Sequence, residues 1–256
     1  LKVAGHRVHF LESMSPHAYF AGRAEERLSS FLSHARNPEI EVLWVARGGH
    51  GSFEVALSLF TQKLLAELKP KTIIGFSDAV AFFDLLGKSG WRVIHGTMPG
   101  LKQFECNMSS ALSVLNGGKI QTSLQAAIEI EGRIVGKITG GSIATIASLS
   151  GTALQYDFND KIVFFEANDQ TFSSVHRMLN QILHSSNLDR AKAIVFGEFY
   201  NVTDVPAKVE LSGVVTPTRA VMTAEEGLEF LVSSMKETLS MPIFTGMSVG
   251  HGVINQ

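Results

Sequence analysis

Lys71-Thr72-Ile73-Ile74-Gly75-Phe76-Ser77-Asp78-Ala79-Val80-Ala81-Phe82-Phe83-Asp84-Leu85-Leu86 runs from a short apolar segment, through a glycine and a serine, into apolar residues at helical spacing. This pattern reads as strand, sharp turn, helix. A serine on such a turn projects its hydroxyl out of the sheet, beside the N–H groups of a helix N-terminus. The turn crowds the backbone on either side, so small residues are needed two before and two after the serine. Gly75 and Ala79 stand there. Two roles fit Ser77 on this evidence, helix N-cap and nucleophile, and the cap is the commoner one for a serine met alone.

Upstream, Ala24 to Ala35 has helical spacing, and Glu41-Val42-Leu43-Trp44-Val45 reads as a buried strand. Arg47-Gly48-Gly49-His50-Gly51-Ser52 then leads into a helix predicted from Phe53 to Leu68, ending before Pro70. Downstream, Trp91-Arg92-Val93-Ile94 is a short strand running into His95-Gly96. Alternating strands and helices predict an α/β fold with a mostly parallel sheet and helices on both faces. Ligands bind such sheets beyond the strands' carboxyl ends, where the glycine-rich loop and Ser77 both fall.

The pattern changes after Asn116-Gly117-Gly118, which places a boundary between two units near residues 117 to 125. Ala126 to Ile130 and Arg133 to Ile138 read as a hairpin turning at Glu131-Gly132. Gly140-Gly141-Ser142 opens a helix, Lys161 to Glu166 is a strand, and Ser174 to Leu183 a helix. Ala193 to Phe196 is a strand, Thr223 and Glu226 form a capping box, and Pro242 to Phe244 is the last strand.

The 256 residues suffice for one large domain or two modest ones with a sizeable core. A formal net charge of −2 gives no electrostatic reason to expect nucleic acid or an anionic membrane as partner. The single cysteine, Cys106, excludes an internal disulfide and a thiolate metal cluster and suits a reducing, cytoplasmic setting. No apolar run approaches the roughly 20 residues of a membrane helix. The chain starts at Leu1 rather than methionine, which leaves room for an upstream strand or signal peptide.

A nucleophilic serine needs a general base, usually histidine, and a group that holds the base's tautomer. Most of the nine histidines lie in polar or helical contexts, and His50 and His95 sit at strand ends. His251 differs in lying in Gly250-His251-Gly252, a flexible segment after an apolar strand. Glu166 follows the continuous apolar run Ile162 to Phe165, where a carboxylate is costly to bury without a partner, and Glu198 has the same setting after Val195-Phe196-Gly197. Both acids remain candidates. The Arg47 to Gly51 loop lacks the spacing of a phosphate-binding motif, and it is suited to turn backbone N–H groups toward an oxyanion. No residues show metal-ligand spacing, so no metal or other cofactor is expected.

Taken together, Ala46 to Gly51, Ile74 to Asp78, His95-Gly96, Gly140-Gly141, Phe165-Glu166, Arg177-Met178-Leu179, Gly197-Glu198-Phe199 and Gly250-His251 resemble, in order, the LD-carboxypeptidase family. Its members trim murein tetrapeptides, and the microcin C self-immunity proteins are relatives. The resemblance implies a Ser-Glu-His triad at Ser77, Glu166 and His251, and an oxyanion hole from the N–H groups of Asp78 and Gly49. It also makes Arg47 a partner for the substrate's terminal carboxylate, a role that competes with anchoring its own loop. It implies a Rossmann-like domain over residues 1–118 bearing the nucleophile, and a β-rich domain over 124–256 bearing the acid and base. The substrate implied is a small murein peptide losing its terminal D-alanine, in a cytoplasmic homodimer. The alternative is immunity-type cleavage of aminoacyl or peptidyl nucleotides. The chain departs from the family at Ala167, Gln170, Ser142, Thr97 and His50, where aspartate, glutamate, asparagine, proline and tyrosine are usual.

Overall fold

The computed structural model describes residues 6–10, 14–100, 104–127, 132–203 and 222–251, with side chains omitted for 104–106. A two-residue-per-strand hairpin, β1 (Pro16–His17) and β2 (Phe20–Ala21), precedes α1 (Ala24–Arg36). There follow β3 (Val42–Trp44), α2 (Ser52–Thr61), β4 (Thr72–Gly75), α3 (Val80–Lys88), β5 (Arg92–His95) and α4 (Phe104–Leu115). The remainder comprises β6 (Gln125–Ala126), β7 (Lys137–Ser142), α5 (Ile143–Leu149), β8 (Lys161–Asn168), α6 (Phe172–Ser185), β9 (Ala193–Tyr200), α7 (Ala224–Lys236) and β10 (Ile243–Thr245).

Two sheets result. The first is parallel, in the order β3-β4-β5. Its middle strand is covered on both faces, so Ile73 and Ile74 are both buried although their side chains point in opposite directions. The second has the order β6-β10-β9-β8-β7, parallel except for β6 at one edge. Its inner strands carry the apolar runs Val163-Phe164-Phe165 and Ile194-Val195-Phe196, all buried. One apolar cluster is continuous from Ile73 and Phe83 on the first side to Ile146, Phe165, Phe196 and Leu231 on the second. Among the described residues, no helix is long and apolar enough to cross a membrane.

Two sequence expectations need correction. The helix expected from Phe53 to Leu68 breaks at Lys63, whose φ of 54° is left-handed, and Leu64–Glu67 form a separate tight turn. That break turns Leu64 and Leu65 onto the core. The expected hairpin does not form between the described segments: Ala126 pairs with Phe244, while Lys137 and Ile138 pair in parallel with Lys161 and Ile162 at the opposite edge. Alternation set the strand character, but β10 and β8 offered the longer-range partners. The proposed turn residue Glu131 and its neighbours 128–130 lie outside the described residues. The capping box on α7 is present, with Glu226 N–H donating to Thr223 Oγ1 (3.2 Å) and Thr223 N–H to Glu226 Oε2 (2.8 Å).

The sheets meet where α3 packs on β7 and α5. A Cβ added to Gly141 would stand 2.5 Å from Val80 Cγ2, so glycine is what lets β7 approach the first turn of α3 this closely. Tyr156 donates its hydroxyl to Val80 O at 2.6 Å in a buried setting. Asp84, on the same helix and buried, accepts from Lys161 Nζ at 3.0 Å and from the Asp157 N–H at 3.3 Å. His95 closes the seam, its ring 4.9 Å from that of Phe164 and within 6.2 Å of Phe76 and Phe83. Both its ring nitrogens are buried without a hydrogen-bond partner among the described residues.

Asp84→Ala removes the buried acceptor shared by Lys161 Nζ and the Asp157 N–H, leaving Lys161 its contacts to Asp157, and is expected to lower stability by about 2 kcal/mol in urea unfolding. Burial, with a smaller contribution from nearby His251, lowers the pKa of His95 to about 3. Because the folded value lies below the unfolded one, the unfolded chain binds the proton first. The stability is therefore intact above pH 6.5 and declines as pH falls from there toward 3. At pH 5 the loss amounts to about 2 kcal/mol. His95→Phe, compared with wild type by urea midpoints at pH 7 and pH 5, should remove that share of the decline; parallel pH dependences would refute it.

Candidate active site

Ser77 heads a tight turn, Ser77–Ala79, between β4 and α3. Its φ of 58° is left-handed, an unusual state for a non-glycine residue. The small neighbours expected from the sequence are required: a Cβ at Gly75 would lie 3.0 Å from Val45 Cβ and 3.1 Å from that of Ala79. The glycine loop lies directly on the serine, since a Cβ at Gly48 would be 3.1 Å from Ser77 Oγ. Gly49 has φ 120° and open space on its Cα face, so its peptide is free to turn toward that space. The loop's far end is held by Arg27, which donates to Gly51 O (3.3 Å) and to Gly22 O (2.6 Å) while stacking over Phe20.

Glu166 sits where β8 and β9 lose register. Phe165 faces Phe196 and Ala167 faces Phe199, so Gly197 and Glu198 together oppose Glu166. Such a bulge interrupts the ladder and re-aims the side chain. The segment after β10 then crosses the end of β9: Met247 N–H donates to Phe196 O, and Glu198 N–H to Val249 O. Gly197 makes room, because a Cβ there would come within 2.4 Å of Val249 O. The crossing carries His251 over Glu166, and His251 Nδ1 lies 2.8 Å from Glu166 Oε2. Glu166 is 0% exposed and its Oε1 has no hydrogen-bond partner among the described residues. A carboxylate this buried demands a donor, and Nδ1–H supplies one, leaving Nε2 as the acceptor nitrogen. Of the two glutamates that sequence left open, the one bonded to His251 is Glu166.

The His251 ring packs edge-on against Phe76, 4.8 Å between centroids, one residue before Ser77. Ser77 and His251 line one cavity of about 380 Å³, together with Gly49 and Asp78. Its other wall comes from the second sheet, with Ser142, Thr145, Asn168 and Gln170. Asp78 turns its carboxylate away to accept from Ser52 N–H at 2.9 Å. Burial raises its carboxyl pKa, opposed by the Ser52 hydrogen bonds and by His50. Arg47 is exposed and is not part of the cavity lining. Sequence reasoning did not single out Phe76 or Thr145, whose hydroxyl donates to Ser77 O at 3.4 Å. Neither belongs to a residue pattern tied to chemistry. Among the described residues no cluster of three or more His, Cys, Asp or Glu is arranged to hold a metal ion.

Comparison with known proteins identifies the family and the fold. The chain is 24% identical over 251 residues to a murein tetrapeptide carboxypeptidase of Pseudomonas aeruginosa, covering 93% of this chain and 76% of the relative. It is 26% identical over 245 residues to a probable murein peptide carboxypeptidase of Bacillus subtilis, covering 92% and 71%. Among solved structures, the muramoyltetrapeptide carboxypeptidase of Oxalobacter formigenes shares the fold with a TM-score of 0.71 at 24% identity, covering 98% of this chain and 82% of that one. An MccF-like protein from Bacillus anthracis shares it with a TM-score of 0.70 at 19% identity, covering 92% and 75%. The LD-carboxypeptidase N-terminal domain model matches residues 1–96 and the C-terminal domain model residues 135–256. The protein therefore belongs to the LD-carboxypeptidase family of peptidases.

Proposed function

We propose that the protein is a serine peptidase that releases the terminal D-alanine of murein tetrapeptides by hydrolysing the L,D-amide bond, serving peptidoglycan recycling in the cytoplasm as a homodimer. The observation that carries this reading is the 2.8 Å contact from His251 Nδ1 to the fully buried Glu166, beside a cavity that Ser77 also lines. With Nδ1 committed to the carboxylate, Nε2 takes the Ser77 hydroxyl proton as Oγ bonds to the scissile carbonyl carbon. The carbonyl oxygen becomes an oxyanion held by the N–H groups of Asp78 and Gly49. The C–N bond then breaks, and His251 returns the proton to the amine of the departing D-alanine. Water attacks the resulting ester and loses a proton to His251; the bond from the carbonyl carbon to Ser77 Oγ then breaks as His251 returns that proton to Oγ, and the freed tripeptide acid ionises to its carboxylate. Glu166 orients His251 and stabilises its imidazolium form throughout. Arg47, exposed on the glycine loop, is assigned to the carboxylate of the terminal D-alanine.

The test is incubation with murein tetrapeptide and, in parallel, with an aminoacyl-nucleotide analogue, with products read by mass. D-Alanine release is expected from the tetrapeptide; cleavage of the nucleotide analogue alone would transfer the protein to the immunity-type activity. Ser77→Ala should lower turnover by about 10⁴-fold or more, and Glu166→Gln by about 10²- to 10⁴-fold. Arg47→Ala should act chiefly on KM. A fluorophosphonate probe that spares Ser77 while turnover persists would remove the serine from the mechanism.

A further inference from the structure

The first turn of α2 has no side-chain cap of its own, because its N-cap is Gly51. The cap comes from across the site: Asp78 Oδ2 accepts the N–H of Ser52, 26 residues away in sequence, at 2.9 Å. Asp78 follows the nucleophile directly, and Ser52 ends the loop that carries Gly49. One side chain therefore joins the two backbone segments assigned to the oxyanion. The loop's start is fixed by backbone bonds, Val45 N–H to Ile74 O at 2.8 Å and Gly100 N–H to Ala46 O at 2.7 Å. Its end is fixed by side chains, Arg27 on Gly51 O and Asp78 on Ser52 N–H.

We propose that the Asp78 carboxylate is a positioning group that sets the separation of the two oxyanion donors, its own N–H and that of Gly49, by clamping the N-terminus of α2 to the nucleophile turn. The proposal rests on the serine-peptidase reading above. The clamp matches a negative charge to a helix N-terminus and ties the turn to the loop through one hydrogen bond. An oxyanion hole works only when both donors stand at the position the oxygen reaches in the transition state, so slack between them weakens transition-state binding and leaves ground-state binding unchanged. The carboxylate is held here although burial raises its pKa, which a loop needing only a surface cap would not require.

The experiment compares Asp78→Ala, Asp78→Asn and Asp78→Glu with wild type, using D-alanine release and the affinity of a boronic acid built on the tripeptide, which mimics the tetrahedral intermediate. Asp78→Ala should lower kcat by about 10- to 100-fold with KM within about threefold, and weaken the boronate by a similar factor. Asp78→Asn, whose amide oxygen accepts the same bond, should recover most of that loss. Asp78→Glu keeps charge and acceptor but pushes α2 outward by one methylene, and should also lose about tenfold in kcat, which keeps the test open if the alanine variant does not fold. Thr223→Ala, which removes the equivalent cap from α7, serves as the comparison: it should cost stability and leave kcat alone. Wild-type kcat and boronate affinity in a folded Asp78→Ala, or in Asp78→Glu, would overturn the clamp. A wild-type protein that neither releases D-alanine nor binds the boronate would overturn the peptidase reading and the clamp with it.

Discussion

The close contact between Gly141 and Val80 is the constraint on which the remaining geometry depends. The turn bearing Ser77 projects from the carboxyl end of β4, while Glu166 lies near the carboxyl end of β8 and His251 on the segment after β10. They meet only because the first turn of α3 lies directly on β7. A side chain at position 141 would hold the sheets apart by roughly the width of a methyl group, and every distance across the cavity would grow. The same seam is stitched by Tyr156 on Val80 O and by Lys161 on Asp84, all on or against α3. The helix that follows the serine turn is thus tied to the second sheet at Val80 and Asp84, and this fixation helps orient Ser77.

Within the seam, aromatic rings take the place that water would otherwise occupy. Phe76 lies against His251, and His95 fills a box made by Phe76, Phe83 and Phe164. Burial of the Glu166 carboxylate lowers the local dielectric around its bond to His251, which strengthens that bond. Burial among the rings also explains why His95 stays neutral: a second imidazolium beside His251 would be both desolvated and repelled.

Much of this was legible in the chain because the determining signals are local. The run into Gly75-Phe76-Ser77-Asp78-Ala79 contains its own strand, its own steric relief and its own helix, and the Thr223 and Glu226 cap is complete within four residues. Residue pattern alone did not separate Glu166 from Glu198, since both follow an apolar run, and only the family resemblance favoured Glu166; the physical choice lies in the tertiary structure. It is made by the bulge opposite Gly197 and by the path of residues 246–251, neither of which has a sequence period. The expected pairing of the segments containing Ala126 and Ile138 misses for the same reason: alternating apolar residues specify a strand but not its neighbour, and the neighbours of the described residues are β10 and β8. The cavity's second wall was visible only in part: Ser142 and Gln170 stood out as departures from the family, whereas Thr145 and Asn168 acquire meaning only once β7, α5 and β8 face Ser77.

The left-handed conformation of Ser77 shows how these long-range contacts serve the local chemistry. For a residue with a Cβ it costs about 1 to 2 kcal/mol, so an isolated strand and helix of this sequence would relax out of it. What prevents this is confinement from three sides: Gly48 against the serine's own side chain, Val45 and Ala79 around Gly75, and Thr145 on the serine's carbonyl oxygen. The first two come from the parallel sheet and the third from the opposite unit. Strain at the serine is therefore sustained by the closed seam, and the apolar core that holds the seam shut is what keeps the hydroxyl presented to the cavity.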